Sequence, residues 1–310
     1  MTGERALVVG YGSIGRRHVA ILQEMGFGVG VLSQHASGLS IPVFTELNLA
    51  LDQWRPDYIV VANSTAEHPA TIEALNVARF SGRCLVEKPL AASVEDLSNA
   101  PSYRLFVGYG LRFHPVVQRA QEILEGCVLY SIASYVGQYL PDWRPGADYR
   151  KCYSAQAKAG GGVLRDLSHE LDYLRLLAGD WKRLTALGGT FGGLEISSDD
   201  VFDLLWEAEH CPSVSCHMNY LDRNPRRDCS IHYEGGSLFL DLWGATLWQN
   251  GEQYNFEIER NEMFRRMHVA VLSDQTDRLA RWEDGVAVMR MIEASNDSVE
   301  RKEWIWQKTD

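Results

Sequence analysis

A glycine-rich hexapeptide near the start of the chain is the first signal of chemistry. Residues 10–15 read G-Y-G-S-I-G, after a short apolar run and before an amphipathic stretch. The spacing predicts that Gly10 permits a tight turn, that Gly12 lets the backbone approach a pyrophosphate, and that Gly15 lets helix and strand pack closely. The first residues of the helix, Ser13 and Ile14, offer unpaired N–H groups and the positive end of the helix dipole. We therefore expect these five residues to hold a dinucleotide.

The choice of dinucleotide depends on the end of the second apolar run. An NAD enzyme of this type carries an acidic residue there for the ribose 2′-hydroxyl, but this chain has Ser33 and Gln34, followed by His35. A neutral pocket tolerates a 2′-phosphate better than a carboxylate would. The pattern favours NADP slightly over NAD, although no arginine is present to pair with the phosphate. The alternative is that Ser33 only caps a turn.

Two side chains have the chemistry that proton transfer needs. Lys88 follows the fourth apolar run, and the carboxyl ends of strands in an open parallel sheet border the ligand crevice. A lysine beside a nicotinamide cation and an apolar wall should have a lowered pKa, so that it can share a proton. His169 has an imidazole, whose pKa lies near working pH.

The spacing around His169 leaves alternatives. Asp166, His169 and Asp172 recur every three residues, which places them on one face of a helix. Such a face could hold a metal, but a catalytic metal usually takes ligands from several elements, so we expect none. His169 could also be a buried histidine with a structural partner.

Five motifs, in this order, resemble the Gfo/Idh/MocA oxidoreductases (glucose–fructose oxidoreductase, inositol dehydrogenase and relatives). They are the glycine motif at 10–15, Asn63-Ser64 with His68, Glu87-Lys88-Pro89, the run Val107–Pro115 that contains R-F-H-P, and Gly160–Gly162 leading to Asp166, His169 and Asp172. The resemblance covers residues 10–172 by motif and the rest by architecture.

The resemblance implies roles for the matching residues. Asn63, Ser64, His68 and Glu87 would line the cofactor. Lys88 would sit at the nicotinamide and the reacting carbon.

The resemblance also implies that the second domain supplies the base. His169 would bind the substrate and remove the hydroxyl proton, with Asp166 beside it. The chain departs from the family pattern in two ways: Asp166 precedes His169 by three residues instead of four, and no proline precedes Asn63.

A polar, aromatic segment before the glycine run is the candidate substrate loop. We expect Trp143, Tyr149 and Tyr153 to stack on a sugar ring. Arg144, with Arg112 earlier in the chain, would pair with acidic or phosphate groups. The alternative is a surface loop with structural aromatics. A resemblance to members of the family from bacterial surface-sugar pathways favours a nucleotide sugar or an amino sugar.

The elements that must position these groups divide into two domains. Short apolar runs without alternation predict parallel strands covered on both faces: Ala6–Gly10, Val29–Leu32, Tyr58–Ala62, Cys84–Glu87 and Leu105–Tyr109. With helices between them, residues 1–116 are predicted to form an α/β, doubly wound Rossmann domain.

The remaining residues, 117–310, are predicted to form an α+β domain for substrate binding and oligomerisation, with an open, largely antiparallel sheet. Strict alternation over Val214–Tyr220 predicts a half-buried antiparallel strand, and Glu234–Ser237 predicts a hairpin turn. One continuous helix is expected over Leu164–Leu177. Later helices are expected over Glu262–Arg278 and Gly285–Val299.

The open face of that sheet should be covered by another subunit. Trp243, Leu247 and Trp248 are predicted to lie there, which favours a homodimer or homotetramer.

Composition excludes several classes of protein. The formal net charge of −11, without a basic stripe, argues against nucleic acid as a partner. The apolar runs are too short for a membrane span, so no membrane partner is expected. The six cysteines form no C-x-x-C pair, which is typical of small hydrophobes in a reducing compartment. Since no apolar signal region opens the chain, we expect a cytoplasmic protein.

The sequence therefore predicts an NAD(P)-dependent oxidoreductase that moves a hydride between nicotinamide and a hydroxyl or keto carbon of a sugar-like substrate. Two alternatives remain open. One is a non-catalytic dinucleotide sensor with this fold, which would have no need for Lys88 and His169 together. The other is a reductase of a non-sugar substrate, which would need a more apolar pocket.

Overall fold

The computed structural model describes residues 3–97 and 99–307. They form two compact units. The first contains the chain up to Gly110 and the segment Arg260–Val286, and the second contains Leu111–Glu259 and the residues from Ala287 onward. None of the helices in the described ranges has both the length and the apolar character needed to cross a bilayer.

Strands and helices are numbered here along the whole chain. The strands are β1 (Arg5–Val9), β2 (Gly28–Leu32), β3 (Val43–Phe44), β4 (Tyr58–Val61), β5 (Arg83–Val86), β6 (Arg104–Val107), β7 (Leu129–Gly137), β8 (Trp181–Gly189), β9 (Val201–Ala208), β10 (Val214–Asn219), β11 (Arg226–Tyr233), β12 (Gly236–Asp241), β13 (Thr246–Gln249), β14 (Glu252–Asn255), β15 (Ala280–Arg281) and β16 (Ile305–Trp306). The helices are α1 (Ser13–Glu24), α2 (Leu47–Leu49), α3 (His68–Val77), α4 (Pro115–Leu124), α5 (Val163–Asp166), α6 (His169–Ala178), α7 (Glu262–Leu272) and α8 (Trp282–Arg301).

The sheet of the first unit has the strand order β15-β6-β5-β4-β1-β2-β3. Every pair is parallel except β15 with β6. All of β4 is buried, as expected of a strand covered on both faces. The five predicted strands and the doubly wound parallel fold are confirmed. The strand order reverses between β1 and β4, and such a switch point is where open α/β sheets bind ligands.

The late segment Arg260–Val286 belongs to the first unit, although the sequence pattern placed it in the second domain. The buried face of α7 carries Met267, His268, Ala270 and Val271, and β15 extends the first sheet at its edge. Helix α7 is also shorter than the predicted helix over Glu262–Arg278, since it ends at Leu272. Periodicity indicates that a helix has an apolar face but not which core that face covers.

The sheet of the second unit has nine strands in the order β14-β13-β12-β11-β7-β10-β9-β8-β16. It is largely antiparallel, as predicted, and the hairpin joins β11 to β12 with Tyr233 opposite Gly236. One detail differs: β10 is antiparallel to β9 but parallel to β7. The alternation in its sequence reports one buried face and is the same for either neighbour direction.

Helix α6 packs on one face of this sheet through polar as well as apolar contacts. Glu170 is buried and pairs with Arg227 of β11 at 2.7 Å. The hydroxyl groups of Tyr173 and Ser134 of β7 lie 2.8 Å apart, also buried. These contacts hold the residue that begins α6, His169, at a defined place on the sheet.

Two expectations about this unit are wrong. The predicted helix over Leu164–Leu177 is broken, since α5 ends at Asp166 and α6 begins at His169. Asp166 and His169 therefore do not share one helix face. The expectation that Leu247 lies on the open face of the sheet is also wrong. Leu247 is fully buried, whereas its neighbour Trp248 is half-buried. Because side chains alternate along a strand, the two residues lie on opposite faces of β13.

Candidate functional site

The glycine motif forms the turn between β1 and α1. Gly10 has φ +94°, and a Cβ there would lie 2.5 Å from the backbone nitrogen of Asn63. At Gly15, a Cβ would collide with the carbonyl oxygen of Gly10. Both positions therefore require glycine for backbone reasons, as the motif predicts.

Gly12 differs from these two glycines because the space that a side chain would occupy is open. A Cβ added there meets no heavy atom within 4 Å, and Gly12 caps α1 without a side-chain hydrogen bond. The first turn of α1, which begins at Ser13 and Ile14, carries no acidic residue. The space beside the Gly12 Cα, at the N-terminus of this helix, is therefore open, which fits the approach of a pyrophosphate. This cradle at the switch point fits a dinucleotide.

The loop after β2 forms a turn. The Ser33 hydroxyl accepts a hydrogen bond from the His35 N–H at 3.2 Å, and the Gln34 side chain donates to the Thr45 carbonyl at 2.6 Å. The turn described as the alternative for Ser33 is thus present. Contact of Ser33 and Gln34 with a ribose stays a prediction.

The loop after β4 carries the next predicted cofactor residues. Ser64 and Glu67 form a capping box, in which the Ser64 side chain accepts from the Glu67 backbone N–H and the Glu67 carboxylate accepts from the Ser64 backbone N–H. The Ser64 hydroxyl also donates to the Glu67 carboxylate at 2.6 Å. The Asn63 amide donates to Thr71 at 3.0 Å. Its Oδ1 is buried and has no hydrogen-bond partner among the described residues. Asn63, which also abuts Gly10, is therefore the residue of this loop best placed to offer a polar atom to a cofactor.

His68 supports the Lys88–Pro89 segment. It is almost fully buried, and its Nδ1 lies 3.1 Å from the Pro89 carbonyl oxygen, to which it donates. Burial lowers the pKa of His68, so the ring is neutral near pH 7. His68 thus has a structural contact of its own, and its contact with a cofactor stays a prediction.

Lys88 follows β5, with its side chain half-buried. Glu87 is buried and folds back, so that its Oε2 accepts from the Lys88 backbone N–H at 3.3 Å. Its Oε1 accepts from His18 Nε2 at 2.9 Å. The predicted cofactor residue Glu87 thus holds the backbone of Lys88 in place.

Asp166 is oriented by a tyrosine that the sequence pattern did not single out. The buried Tyr220 hydroxyl donates to Asp166 Oδ2 at 2.7 Å. Burial, and then the charge of Asp166, raises the pKa of Tyr220 well above its usual value, so this phenol stays a donor. The rings of Trp143 and Tyr220 pack edge to face, with their centroids 5.2 Å apart. The strict alternation that ends at Tyr220 was the available signal.

Arg112, a predicted substrate residue, is a structural anchor in this fold, and its contact with substrate stays a prediction. Its Nε and Nη2 donate to the Asp172 carboxylate at 2.9 and 2.6 Å. The side chains are 4% and 0% exposed. The pair ties the loop after β6 to α6, three residues beyond His169.

The candidate substrate loop borders a cavity of about 280 Å³ in the second unit. Trp143, Arg144 and Tyr149 are among its lining residues. Tyr153 is not, and its hydroxyl donates to the Gly160 carbonyl at 2.6 Å. In the described part of the chain, no group of three or more His, Cys, Asp or Glu side chains could hold a metal ion.

Comparison with known families matches both units. Residues 5–102 match the model described as the oxidoreductase family with an NAD-binding Rossmann fold, and residues 117–239 match the GFO/IDH/MocA C-terminal domain. A search of curated proteins returned no match.

Solved structures share the fold at low identity. They include GenD2 from gentamicin A biosynthesis, solved with NAD, with a TM-score of 0.80 and 20% identity over 100% of this chain and 97% of that one. WlbA dehydrogenase from Bordetella pertussis, solved with NADH and UDP-GlcNAcA, has a TM-score of 0.81 and 18% identity, with complete coverage of both chains. Levoglucosan dehydrogenase, solved with NADH, has a TM-score of 0.84 and 16% identity, also with complete coverage of both.

The two family models together match more than half of the chain, in the order that the motifs predicted. The chain therefore belongs to the Gfo/Idh/MocA family of oxidoreductases.

Proposed function

We propose that this protein is an NAD(P)-dependent oxidoreductase that transfers a hydride between nicotinamide and a hydroxyl or keto carbon of a sugar or sugar derivative. The observation that carries the proposal is the open glycine cradle at the β1–β4 switch point. In the same sheet, β5 lies next to β4 and ends immediately before Glu87 and Lys88. The carboxyl ends of parallel strands share one edge, so the cradle and Lys88 lie on the same side of this sheet.

The proposed roles follow the family resemblance. The glycine motif and Asn63 would hold the dinucleotide, which supplies the hydride acceptor or donor. Lys88 is the proposed acid–base residue of the first unit and His169 that of the second, in which Tyr220 holds Asp166. Cofactor and substrate assignments for the other predicted residues stay predictions.

The sugar class is supported by two observations. The aromatic side chains of Trp143 and Tyr149 and the cationic side chain of Arg144 are among the residues that line the cavity. Proteins with this fold have been solved with UDP-GlcNAcA and are named for levoglucosan. Because those neighbours hold NAD or NADH, we propose that NAD is accepted, and the predicted preference for NADP awaits a binding measurement.

The direct test measures dinucleotide binding by fluorescence and then follows reduced cofactor by absorbance with a panel of polyols, amino sugars and nucleotide sugars. We expect turnover with at least one of them. Binding without turnover across the panel would favour the sensor, and turnover only with imines or other non-sugars would favour the second alternative.

Exchanging two glycines tests the cradle. Gly12→Ala should leave the melting temperature nearly unchanged, because φ is −74° and the added methyl meets nothing within 4 Å. It should weaken dinucleotide binding on the order of tenfold or more, since that space is where the pyrophosphate approaches. Gly10→Ala should instead destabilise the fold, by about 1–3 kcal/mol from backbone strain alone. Calorimetry for stability and fluorescence for binding separate the two effects. Unimpaired binding by Gly12→Ala would contradict the cradle.

We also propose that the open face of the second sheet forms a homodimer or homotetramer contact. Phe239 is 39% exposed and lies directly opposite Trp248 across β12 and β13. Phe239→Glu should lower the molar mass measured by light scattering, because a buried carboxylate opposes association. Val77→Glu, at an exposed site on α3, is the matched control. Equal masses for both variants and the wild type would count against this face.

A further inference from the structure

Four titratable side chains form a continuous buried chain of hydrogen bonds in the first unit. The Tyr58 hydroxyl lies 2.8 Å from His268 Nδ1, and His268 Nε2 lies 3.0 Å from His18 Nδ1. His18 Nε2 lies 2.9 Å from Glu87 Oε1. Tyr58, His18 and His268 are fully buried, and Glu87 is nearly so. Burying polar groups costs free energy unless they are hydrogen-bonded, and each of these four groups has a hydrogen-bond partner in the chain.

The chain joins four separate elements. Tyr58 begins β4, His18 lies on the buried face of α1, His268 lies on α7, and Glu87 follows β5. Phe264, also on α7, packs against His18 edge to face, with the ring centroids 5.5 Å apart. The segment that returns to the first unit therefore reaches the candidate catalytic turn through His268 and His18.

The direction of the hydrogen bonds follows from the two ends. A carboxylate only accepts, so His18 Nε2 donates to Glu87. Burial raises the pKa of Tyr58 well above its usual value, and burial together with His18 lowers the pKa of His268 well below its own. With Tyr58 as a neutral phenol and His268 as a neutral imidazole, Tyr58 donates to His268 Nδ1, and His268 Nε2 donates to His18 Nδ1.

The opposite direction is less favourable. It would require His18 to be doubly protonated, with His268 donating to the phenol oxygen. The Tyr58 hydroxyl hydrogen would then have no acceptor, since the described residues give this group no second hydrogen-bond partner. An unsatisfied buried donor costs about 1–3 kcal/mol.

The end of the chain touches the backbone of Lys88. Glu87 uses one oxygen for His18 and the other for the Lys88 N–H. Beyond Lys88, His68 donates to the Pro89 carbonyl. Gly108 leaves room for the carboxylate, because a Cβ there would lie 3.0 Å from Glu87 Oε1. The Lys88–Pro89 segment is thus held from both sides.

We propose that Tyr58, His268 and His18 are positioning residues, whose hydrogen bonds all point toward Glu87 and fix its carboxylate and thereby the backbone of Lys88. The inference rests on the proposed function of Lys88, because positioning matters only if that amine works. It assigns a role to three residues for which the sequence pattern predicted none.

The first test uses the wild-type protein and needs no substrate. Nitrogen-15 NMR of the histidine rings reports which nitrogen carries hydrogen. We expect both His18 and His268 as neutral rings protonated at Nε2, with the same pattern in Lys88→Ala. A ring of either residue that is protonated at Nδ1 in the resting protein would overturn the proposed direction.

The second test compares two phenol deletions. Tyr58→Phe should release His268 from a single tautomer, shift the amide resonance of Lys88, and lower kcat about tenfold with KM for the dinucleotide nearly unchanged. A displacement of 1 Å at a reacting group can cost about a hundredfold. Tyr103→Phe is the matched control, because its buried hydroxyl in the same unit donates only to the Ile72 carbonyl. Identical tautomers and an identical Lys88 amide in both variants would overturn the proposal.

The outcomes separate this proposal from the proposed function. If Lys88→Ala turns over normally, Lys88 has no catalytic role, whatever the histidine spectra show. If Lys88→Ala is inactive but Tyr58→Phe leaves the Lys88 amide and kcat unchanged, the function stands and the positioning role falls.

Discussion

Lys88→Ala is expected to lower turnover by a factor of about one hundred or more while dinucleotide binding changes little. General acid–base catalysis contributes about 10²–10⁴-fold, and this amine is the first unit's proposed contributor. The glycine cradle is the proposed main contact with the dinucleotide, and Lys88 is not part of it. The measurement is kcat with whichever sugar the panel identifies, beside fluorescence titration with the dinucleotide.

The control for this prediction is Lys158→Ala, an exposed lysine in a turn of the second unit. It should behave as wild type in both assays. A small added amine should restore part of the activity of Lys88→Ala, since the space left by the side chain admits it. Normal turnover by Lys88→Ala would show that the proposed mechanism is wrong.

Asp172→Ala is expected to destabilise the protein by about 3–5 kcal/mol, because it removes the Asp172 carboxylate from a buried ion pair with the Arg112 guanidinium. Urea denaturation gives the free energy of unfolding. The matched control is Asp148→Ala, whose partner Arg150 is exposed, and its stability should stay close to that of the wild type.

A double variant distinguishes charge from packing in the same pair. Arg112→Met with Asp172→Leu removes both charges and keeps most of the volume, so it should be clearly more stable than Asp172→Ala. A double variant as unstable as Asp172→Ala would mean that shape, and not the loss of the Asp172 charge beside Arg112, accounts for the lower stability. An Asp172→Ala protein as stable as the Asp148→Ala control would contradict the buried pair itself.

The five central strands of the first unit and its glycine turn could be predicted because their signals are local. Gly10 and Gly15 are required by backbone geometry at their own positions, and apolar runs such as Tyr58–Val61 are buried throughout. A strand covered on both faces needs apolar residues at every position, which few other structures demand. These constraints act within a few residues, so a linear pattern records them.

The face on which a strand residue lies depends on strand pairing, which the sequence does not show. Leu247 and Trp248 are adjacent and both apolar, yet only one of them lies on the open face. The sequence indicates that the faces alternate, but the pairing of β12 with β13 decides which face is covered. The spacing of apolar residues likewise does not indicate the break between α5 and α6.

The amino-acid sequence by itself determined the Rossmann unit, the dinucleotide turn and the order of the family motifs, since each is written in short-range spacing. Only the tertiary structure decided the partners of the buried polar groups. Arg112 finds Asp172 across 60 residues, and His18 finds His268 across 250. A buried charge or ring nitrogen must be satisfied by whichever group folding brings within about 3 Å. That group is set by which elements meet, and no local pattern encodes it.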